Sequence, residues 1–174
     1  MQLRAGRARS ELEGKLERVS LRRRQGAVLI AGGAVLYLLV EVGDLRFHWT
    51  PLLVGLSYLV AAVVGGKPGS YWATACVITA WGAGVVLHRE GTIDVSPEGA
   101  YLLAIGVGAT VAALLGRSGY AVDGLGIAAS ILLAGLFLAL VTRVDAVGRA
   151  STYAAALALI GLIRLASPEG RLTK

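Results

Sequence analysis

Residues 124–141 read GLGIAASILLAGLFLALV, a stretch without a single charged side chain. Its apolar residues follow one another continuously, whereas a transmembrane β-strand alternates apolar and polar residues. A helix satisfies its own backbone hydrogen bonds inside lipid, and about 20 helical residues cross the roughly 30 Å apolar core of a bilayer. The stretch therefore predicts a transmembrane helix and an all-α fold.

Five further stretches of the same kind accompany it. The six predicted spans are residues 26–43, 49–66, 70–88, 99–116, 122–142 and 148–166. Apolar residues make up 56% of the chain and charged residues 16%, against about 25% charged residues in an average soluble domain. Because six such helices leave no amphipathic helix to cover them in water, we predict a polytopic membrane protein with a six-helix transmembrane domain at residues 26–166.

The distribution of basic residues predicts the orientation. With a cytoplasmic N-terminus, thirteen of the 17 Lys and Arg residues lie on the cytoplasmic side, and eight of these belong to residues 1–25. The positive-inside rule then places this basic N-terminal arm and the tail at residues 167–174 in the cytoplasm. The frequent use of Ala, Gly, Leu and Arg is typical of a bacterium with a GC-rich genome, so we expect the bacterial cytoplasmic (inner) membrane.

Within the arm, residues 8–21 predict a short amphipathic helix at the cytoplasmic surface. Leu12, Leu16 and Val19 share one helical face, and charges of alternating sign surround them. The helix serves either as a topology anchor or as a contact for a cytosolic or membrane protein partner or for a second copy of the chain. The side chains predicted to contact anionic lipid head groups are Arg22, Arg23 and Arg24.

The chain carries a candidate internal repeat. Residues 26–33 (GAVLIAGG) and 99–106 (GAYLLAIG) are identical at five positions, and residues 70–73 (SYWA) resemble residues 151–154 (STYA). This pattern predicts two three-helix halves, the second inverted relative to the first, as in many transporters. Chance similarity between segments rich in Ala, Gly and Leu is the alternative.

The third span is the most polar of the six. If any span lines a pathway, the third does, and the predicted pathway residues are Thr74, Cys76 and Thr79, joined by Thr110 of the fourth span. Polar groups inside a membrane are functional candidates. The alternative is ordinary helix packing, for which Cys76 is a suitably small side chain.

Glu41, His48 and His88 are predicted to lie together on the outer side. They form either an interface with the head groups or a group sensitive to pH or ions, because histidine changes charge near neutral pH. No His, Cys, Asp or Glu spacing typical of a metal site occurs, and no nucleophile or phosphate-binding motif is present. We therefore expect no catalytic residue, no metal, no cofactor and no nucleic-acid partner.

Part of the chain resembles a known group of proteins. The residues that carry the resemblance are Gly26, Gly32, Gly33, Gly43 and the segment WTPLLVG at 49–55. Residues 26–66 thereby resemble the paired helices of Lia-type bacterial cell-envelope stress membrane proteins. The six short, Gly-rich spans are similar to the acid-resistance HdeD-like proteins. Neither resemblance implies catalytic residues.

These patterns predict a non-enzymatic membrane protein, an accessory or envelope-stress-related component that acts through helix and partner contacts. The alternative is a small-solute or ion transporter or channel built on the inverted repeat. A cavity near the membrane midplane, lined by the polar residues of the third and fourth spans, would favour transport. A membrane enzyme ranks third, because the spans carry no acid, base or nucleophile at mid-depth.

Overall fold

The computed structural model describes residues 2–140, 143–145 and 147–166. For residues 2–13 and 15–18 it describes the backbone alone. The predicted tail at residues 167–174 lies outside the described residues. The described part of the chain is all-helical, as predicted.

The described residues form six α-helices. They are α1 (Gln2–Tyr37), α2 (Thr50–Gly65), α3 (Trp72–Arg89), α4 (Pro97–Arg117), α5 (Gly124–Leu140) and α6 (Ala150–Ala166). Three helical segments are long and apolar enough to cross a membrane: Val19–Val42, Phe47–Gly65 and Pro97–Arg117. Helices α5 and α6 are apolar but have only 17 residues each, and α3 has 18.

The arm and the first span form one continuous helix rather than two separate ones. Helix α1 runs through 36 residues and continues as a π-helical segment, Leu38–Val42, in which the Gly43 amide donates to the Leu38 carbonyl at 2.8 Å. Neither Gly nor Pro interrupts residues 15–25, and Arg, Lys, Glu and Leu are good helix formers. The predicted amphipathic face rests mainly on Leu12 and Leu16, whose side chains lie outside the described residues.

The first and last described helices pack against each other in antiparallel fashion. A Cβ atom added to Gly26 would lie 2.7 Å from the Gly161 carbonyl oxygen, and one added to Gly33 would lie 2.7 Å from the Ala154 carbonyl oxygen. The two backbones therefore touch directly. Small residues allow such close approach in membrane helices, where lipid provides no hydrophobic drive for association.

Helix α3 lies at the centre of the bundle and packs against α2, α4 and α5. Gly55 of α2 faces Thr79, Gly108 of α4 faces Cys76 and Val77, and Ser130 of α5 faces Thr74. By contrast, α4 makes few contacts with α5. The two predicted halves thus differ in packing, since α2 packs closely on both α1 and α3 whereas α5 packs closely on neither α4 nor α6.

The helix connections define two ends of the bundle. The arm end holds the last residues of the arm, the α2–α3 turn, the α4–α5 connection and the end of α6. There the Ala121 amide donates to the Lys67 carbonyl at 2.8 Å, and Lys67 Nζ lies 5.3 Å from the centre of the Tyr120 ring. The far end holds the other connections, and there His48 meets Glu90.

Candidate functional site

A partly open cavity of about 300 Å³ lies between α2, α3, α5 and α6. Its wall is almost wholly apolar and contains no Asp, Glu, Lys, Arg or His. The residues that line it are Thr50, Pro51, Val54, Tyr58, Thr74, Ile78, Trp81, Leu133, Ala134, Phe137, Tyr153, Ala156, Leu157 and Ile160. Two of its helices belong to each predicted half, so the cavity lies where the halves meet.

Two polar groups in the cavity wall have no hydrogen-bond partner among the described residues: Trp81 Nε1 and Thr50 Oγ1. Trp81 is only 3% exposed and Thr50 only 1%. The Trp81 ring packs edge-on against Phe137, with ring centres 5.1 Å apart. Burial of an unpartnered polar group is costly, so Trp81 and Thr50 are unusual members of this mostly apolar wall.

Two further wall residues, Thr74 and Tyr153, have partners for their hydroxyl groups. Ser130 on α5 donates to the Gly126 carbonyl at 2.7 Å and lies 3.2 Å from Thr74 Oγ1. Tyr153 donates its hydroxyl to the Val147 carbonyl at 2.7 Å. Thr74 lines the cavity, but its hydroxyl takes part in a contact between α3 and α5.

The other predicted pathway residues lie on different helix faces. Cys76 is half-buried, and its backbone faces Gly108 of α4. Thr79 faces Gly55 of α2, and its buried hydroxyl has no partner among the described residues. Thr110 is exposed on α4 and donates to the Gly106 carbonyl at 2.8 Å. Because α3 is surrounded, its polar residues are distributed over several helix contacts and do not line one channel.

At the far end, the three predicted residues have separate partners. Glu41 Oε1 accepts a hydrogen bond from the Ser151 amide at 2.8 Å, at the start of α6. His48 Nε2 lies 2.8 Å from Glu90 Oε1. His88 instead packs edge-on against Tyr101, with ring centres 6.0 Å apart. In the described part of the chain, no three His, Cys, Asp or Glu side chains come together as a metal site.

The electrostatics of the far end centre on Glu90. The hydrogen bond from His48 lowers the pKa of the Glu90 carboxyl, and the nearby guanidinium of Arg46, 3.7 Å away, acts in the same direction. The link joins the residues just before α2 to the residue that follows α3. Sequence reasoning placed both histidines on this side but did not identify Glu90 as the partner.

The arm end contains a polar depression of about 730 Å³ bordered by α1, the α2–α3 turn and α6. Arg22 and Arg164 lie in its wall. Arg164 donates to Ser70 Oγ at 3.1 Å, and its guanidinium lies 4.7 Å from the centre of the Tyr71 ring. Neither arginine forms an ion pair with an acidic side chain that the structure describes.

The predicted head-group residues are placed differently from one another. Arg22, Arg23 and Arg24 are all exposed, but Arg22 alone of the three borders the depression. The sequence signal for Arg164 was its position near the end of the last predicted span, where long side chains reach the head groups. Its juxtaposition with Arg22, 142 positions earlier in the chain, required the packing of α1 against α6.

No protein-family model, no curated protein and no solved structure matches this chain. The resemblance to Lia-type and HdeD-like proteins therefore stays a prediction. The candidate sites are those that the geometry itself brings together: the cavity wall around Trp81 and the arginine-lined depression at the arm end.

Proposed function

We propose that the chain is a non-enzymatic, six-crossing protein of the bacterial cytoplasmic membrane, with both termini in the cytoplasm. It acts as an accessory or envelope-stress-related component through contacts of its arm and helices. Alternation of the helix connections between the arm end and the far end supports six crossings. The basic arm supports the orientation.

The observation that carries this proposal is the continuity of α1. One helix extends from the arm into the bundle and there contacts α6 directly through Gly26 and Gly33. A protein or lipid that binds the arm thus acts on a helix that is part of the packed bundle. A flexible linker between the arm and the bundle would not transmit such an effect.

The arm end also supports a lipid contact. Arg22 and Arg164 present two guanidinium groups on one polar depression, and guanidinium groups bind phosphate oxygens in a bidentate manner. Anionic head groups lie at that depth in the cytoplasmic leaflet. The arm would then hold a protein partner, or a second copy of the chain, against the membrane surface.

A helix-breaking insertion tests the proposal. Insertion of Gly-Gly-Ser between Ser20 and Leu21 interrupts α1 outside the predicted span and removes no residue of the chain. A photo-crosslinking amino acid at Leu16, in native membranes, reports the arm's partner. We expect a discrete adduct in both proteins, and a thermal stabilisation of the bundle by the adduct only when α1 is continuous. Equal stabilisation in both, or no adduct, would contradict the proposal.

A small transporter built on an inverted repeat is the second candidate. The position of the cavity between helices of both predicted halves favours it, since transporter sites occur at repeat interfaces. Reconstitution into liposomes with a screen of ions and small solutes separates the candidates. Saturable flux that disappears in Ala134→Leu, a cavity-wall variant, would establish transport and remove the accessory proposal.

A further inference from the structure

We propose that the polar depression at the arm end binds the dianionic phosphate of a phosphomonoester between Arg22 and Arg164. This inference rests on the proposed function and deepens it. The lipid contact proposed above requires only an anionic head group, whereas the inference specifies the kind of phosphate that the depression prefers.

The charge of the wall favours a doubly charged ligand. Arg22 of α1 and Arg164 of α6 are the only charged side chains that the structure describes in the wall of the depression. Neither forms an ion pair with a described acidic side chain. The volume of about 730 Å³ lies within the range of about 300–1,000 Å³ for small-molecule sites. Two guanidinium groups in one concave site are best compensated by two negative charges.

Arg164 is held in place before any ligand arrives. Its guanidinium donates to Ser70 Oγ at 3.1 Å and lies 4.7 Å from the centre of the Tyr71 ring. A guanidinium has five N–H donors in a planar fork, more than the contact with Ser70 uses. Since Ser70 Oγ accepts from Arg164, its own hydroxyl hydrogen can donate to a phosphate oxygen. The fixed fork loses less side-chain entropy per hydrogen bond than a mobile one.

The position of Arg22 is set by the helix that carries it. Gln25, on the following turn of α1, is only 3% exposed and donates to the Ala61 carbonyl of α2 at 3.0 Å. This bond ties α1 to α2 beside the depression, and Gly26 ties α1 to α6 through the Gly161 backbone. Both arginines therefore belong to packed helices of one bundle end.

The start of α3 adds to the positive potential. Helix α3 begins at Trp72, two residues after Ser70 of the wall, and the N-terminal end of a helix carries a partial positive charge. Gly65 and Gly69 of the α2–α3 turn also line the depression. Because glycine has no side chain, the turn leaves space for an oxygen-rich group beside the two guanidinium groups.

The chemistry of phosphate esters then selects the class of ligand. A phosphomonoester carries a charge of about −1.5 to −2 at pH 7 and three terminal acceptor oxygens, with a second pKa of about 6. A phosphodiester has a single charge and two terminal oxygens. Each guanidinium can bind two oxygens in a bidentate manner, so the monoester supplies acceptors and charge for both. Lipids with a terminal phosphate and soluble phosphate esters share this group.

Thermal unfolding of the full chain in phosphatidylcholine nanodiscs measures the preference. We would raise the mole fraction of phosphatidic acid, a monoester, or of phosphatidylglycerol, a diester, at about pH 8. We expect a saturable rise in Tm, with half-saturation at about five-fold lower mole fraction for phosphatidic acid, the factor that one further charge provides near the surface. Glycerol 3-phosphate, added to nanodiscs of phosphatidylcholine alone, tests the soluble source. A saturable rise there would assign the ester to the water phase, and a response to phosphatidic acid alone would assign it to the lipid.

Glutamine variants locate the site. Arg22→Gln and Arg164→Gln should each abolish the preference for the monoester. Arg23→Gln is the matched control, because Arg23 is the exposed neighbour of Arg22 and lies outside the wall. Circular dichroism establishes that each variant is folded. Arg22 is itself exposed, so Arg22→Gln remains informative if the loss of Arg164 from the Tyr71 ring disturbs the fold.

A change of pH tests the second charge directly. At about pH 5 the monoester gains a proton, and its preference over the diester should disappear. The charged and titratable side chains around the depression do not titrate between these pH values: Arg22 and Arg164 in the wall, Tyr71 beneath Arg164, and Lys67, which lies over Tyr120. The described histidines, His48 and His88, lie at the far end.

Each contrary result has a distinct meaning. A preference that survives Arg22→Gln and Arg164→Gln, or that persists unchanged at about pH 5, would overturn the inference. Equal half-saturation by the two lipids, without a response to glycerol 3-phosphate, would overturn it as well and leave the general lipid contact standing. No stabilisation by any of the three would remove that lipid contact too.

Discussion

The carboxylate of Glu41, in the π-helical segment that follows α1, accepts a hydrogen bond from the backbone amide of Ser151 at 2.8 Å. Ser151 is the second residue of α6, where amide groups lack a partner within their own helix. Glu41 therefore caps α6 from a neighbouring segment, and its negative charge lies at the positive end of the α6 dipole.

Glu41→Ala should lower the free energy of unfolding by about 1 kcal/mol, the usual cost of a lost N-cap. Glu41→Gln should cost less, since it keeps an acceptor and loses only the charge, about 0.3–1 kcal/mol. Thermal or denaturant unfolding in detergent measures both. Asp94→Ala, in the exposed loop before α4, is the control, and a loss equal to that of Glu41→Ala would refute the capping role.

Close helix contacts make specific glycines irreplaceable. A Cβ atom on Gly82 would lie 2.5 Å from Leu52 Cα, and one on Gly55 would lie 2.5 Å from Thr79 Cα. Since backbone atoms must shift to accept it, Gly82→Ala and Gly55→Ala should each destabilise the protein by about 1–3 kcal/mol. Gly106→Ala is the matched control, because nothing lies within 4 Å of its added Cβ. A neutral Gly82→Ala would show that α2 and α3 are not in backbone contact.

The link between His48 and Glu90 predicts a pH dependence. The folded pKa of Glu90 lies below its ordinary value of 4.5, first because of the His48 hydrogen bond. The stabilisation it provides is therefore complete at pH values above 4.5 and is lost as the pH falls through the lowered pKa. Carboxyl ¹³C NMR of labelled glutamate should show this pKa rise towards 4.5 in His48→Phe.

The other histidine provides the control for that measurement. His88→Phe removes a ring that packs on Tyr101 and should leave the Glu90 titration unchanged. An equal rise in both variants would mean that the hydrogen bond is not the cause of the lowered pKa.

Arg164 should contribute more to the binding of anionic lipid than an arginine with no such surroundings. Arg164→Gln removes the guanidinium over Tyr71 from the depression that Arg22 shares. We expect the stabilisation by anionic over zwitterionic nanodiscs, measured by thermal unfolding, to fall by about 1 kcal/mol. Arg117→Gln, exposed at the same end, should have a smaller effect. Equal losses would indicate that general surface charge alone attracts the lipid.

Local sequence patterns were sufficient to predict that each helix exists, but they did not predict every helix boundary. The ends of α2 to α6 lie within two residues of those predicted, because Gly, Pro and charged residues interrupt the apolar stretches there. The arm was wrongly separated from the first span. The change from charged to apolar residues near Gln25 marks the predicted boundary between water and lipid, but it does not break the helix.

The candidate site depended on packing that the sequence does not show. The polarity of α3 made this helix the predicted lining of a pathway, and in the structure Thr74 lines the cavity. Which face of α3 meets which neighbour is decided by Gly55, Gly108 and Ser130 on other helices. Trp81 was assigned no special role because an aromatic residue in a span is unremarkable until its N–H is found buried without a partner.

The pairing of α1 with α6 imposes an order on assembly. Helix α1 leaves the ribosome first of the described helices, and the surface formed by Gly26 and Gly33 has its partner only after α6 has been made. Individual helices can insert before they associate. The glycine surface of α1 can therefore acquire its partner only after the four intervening helices have been synthesised.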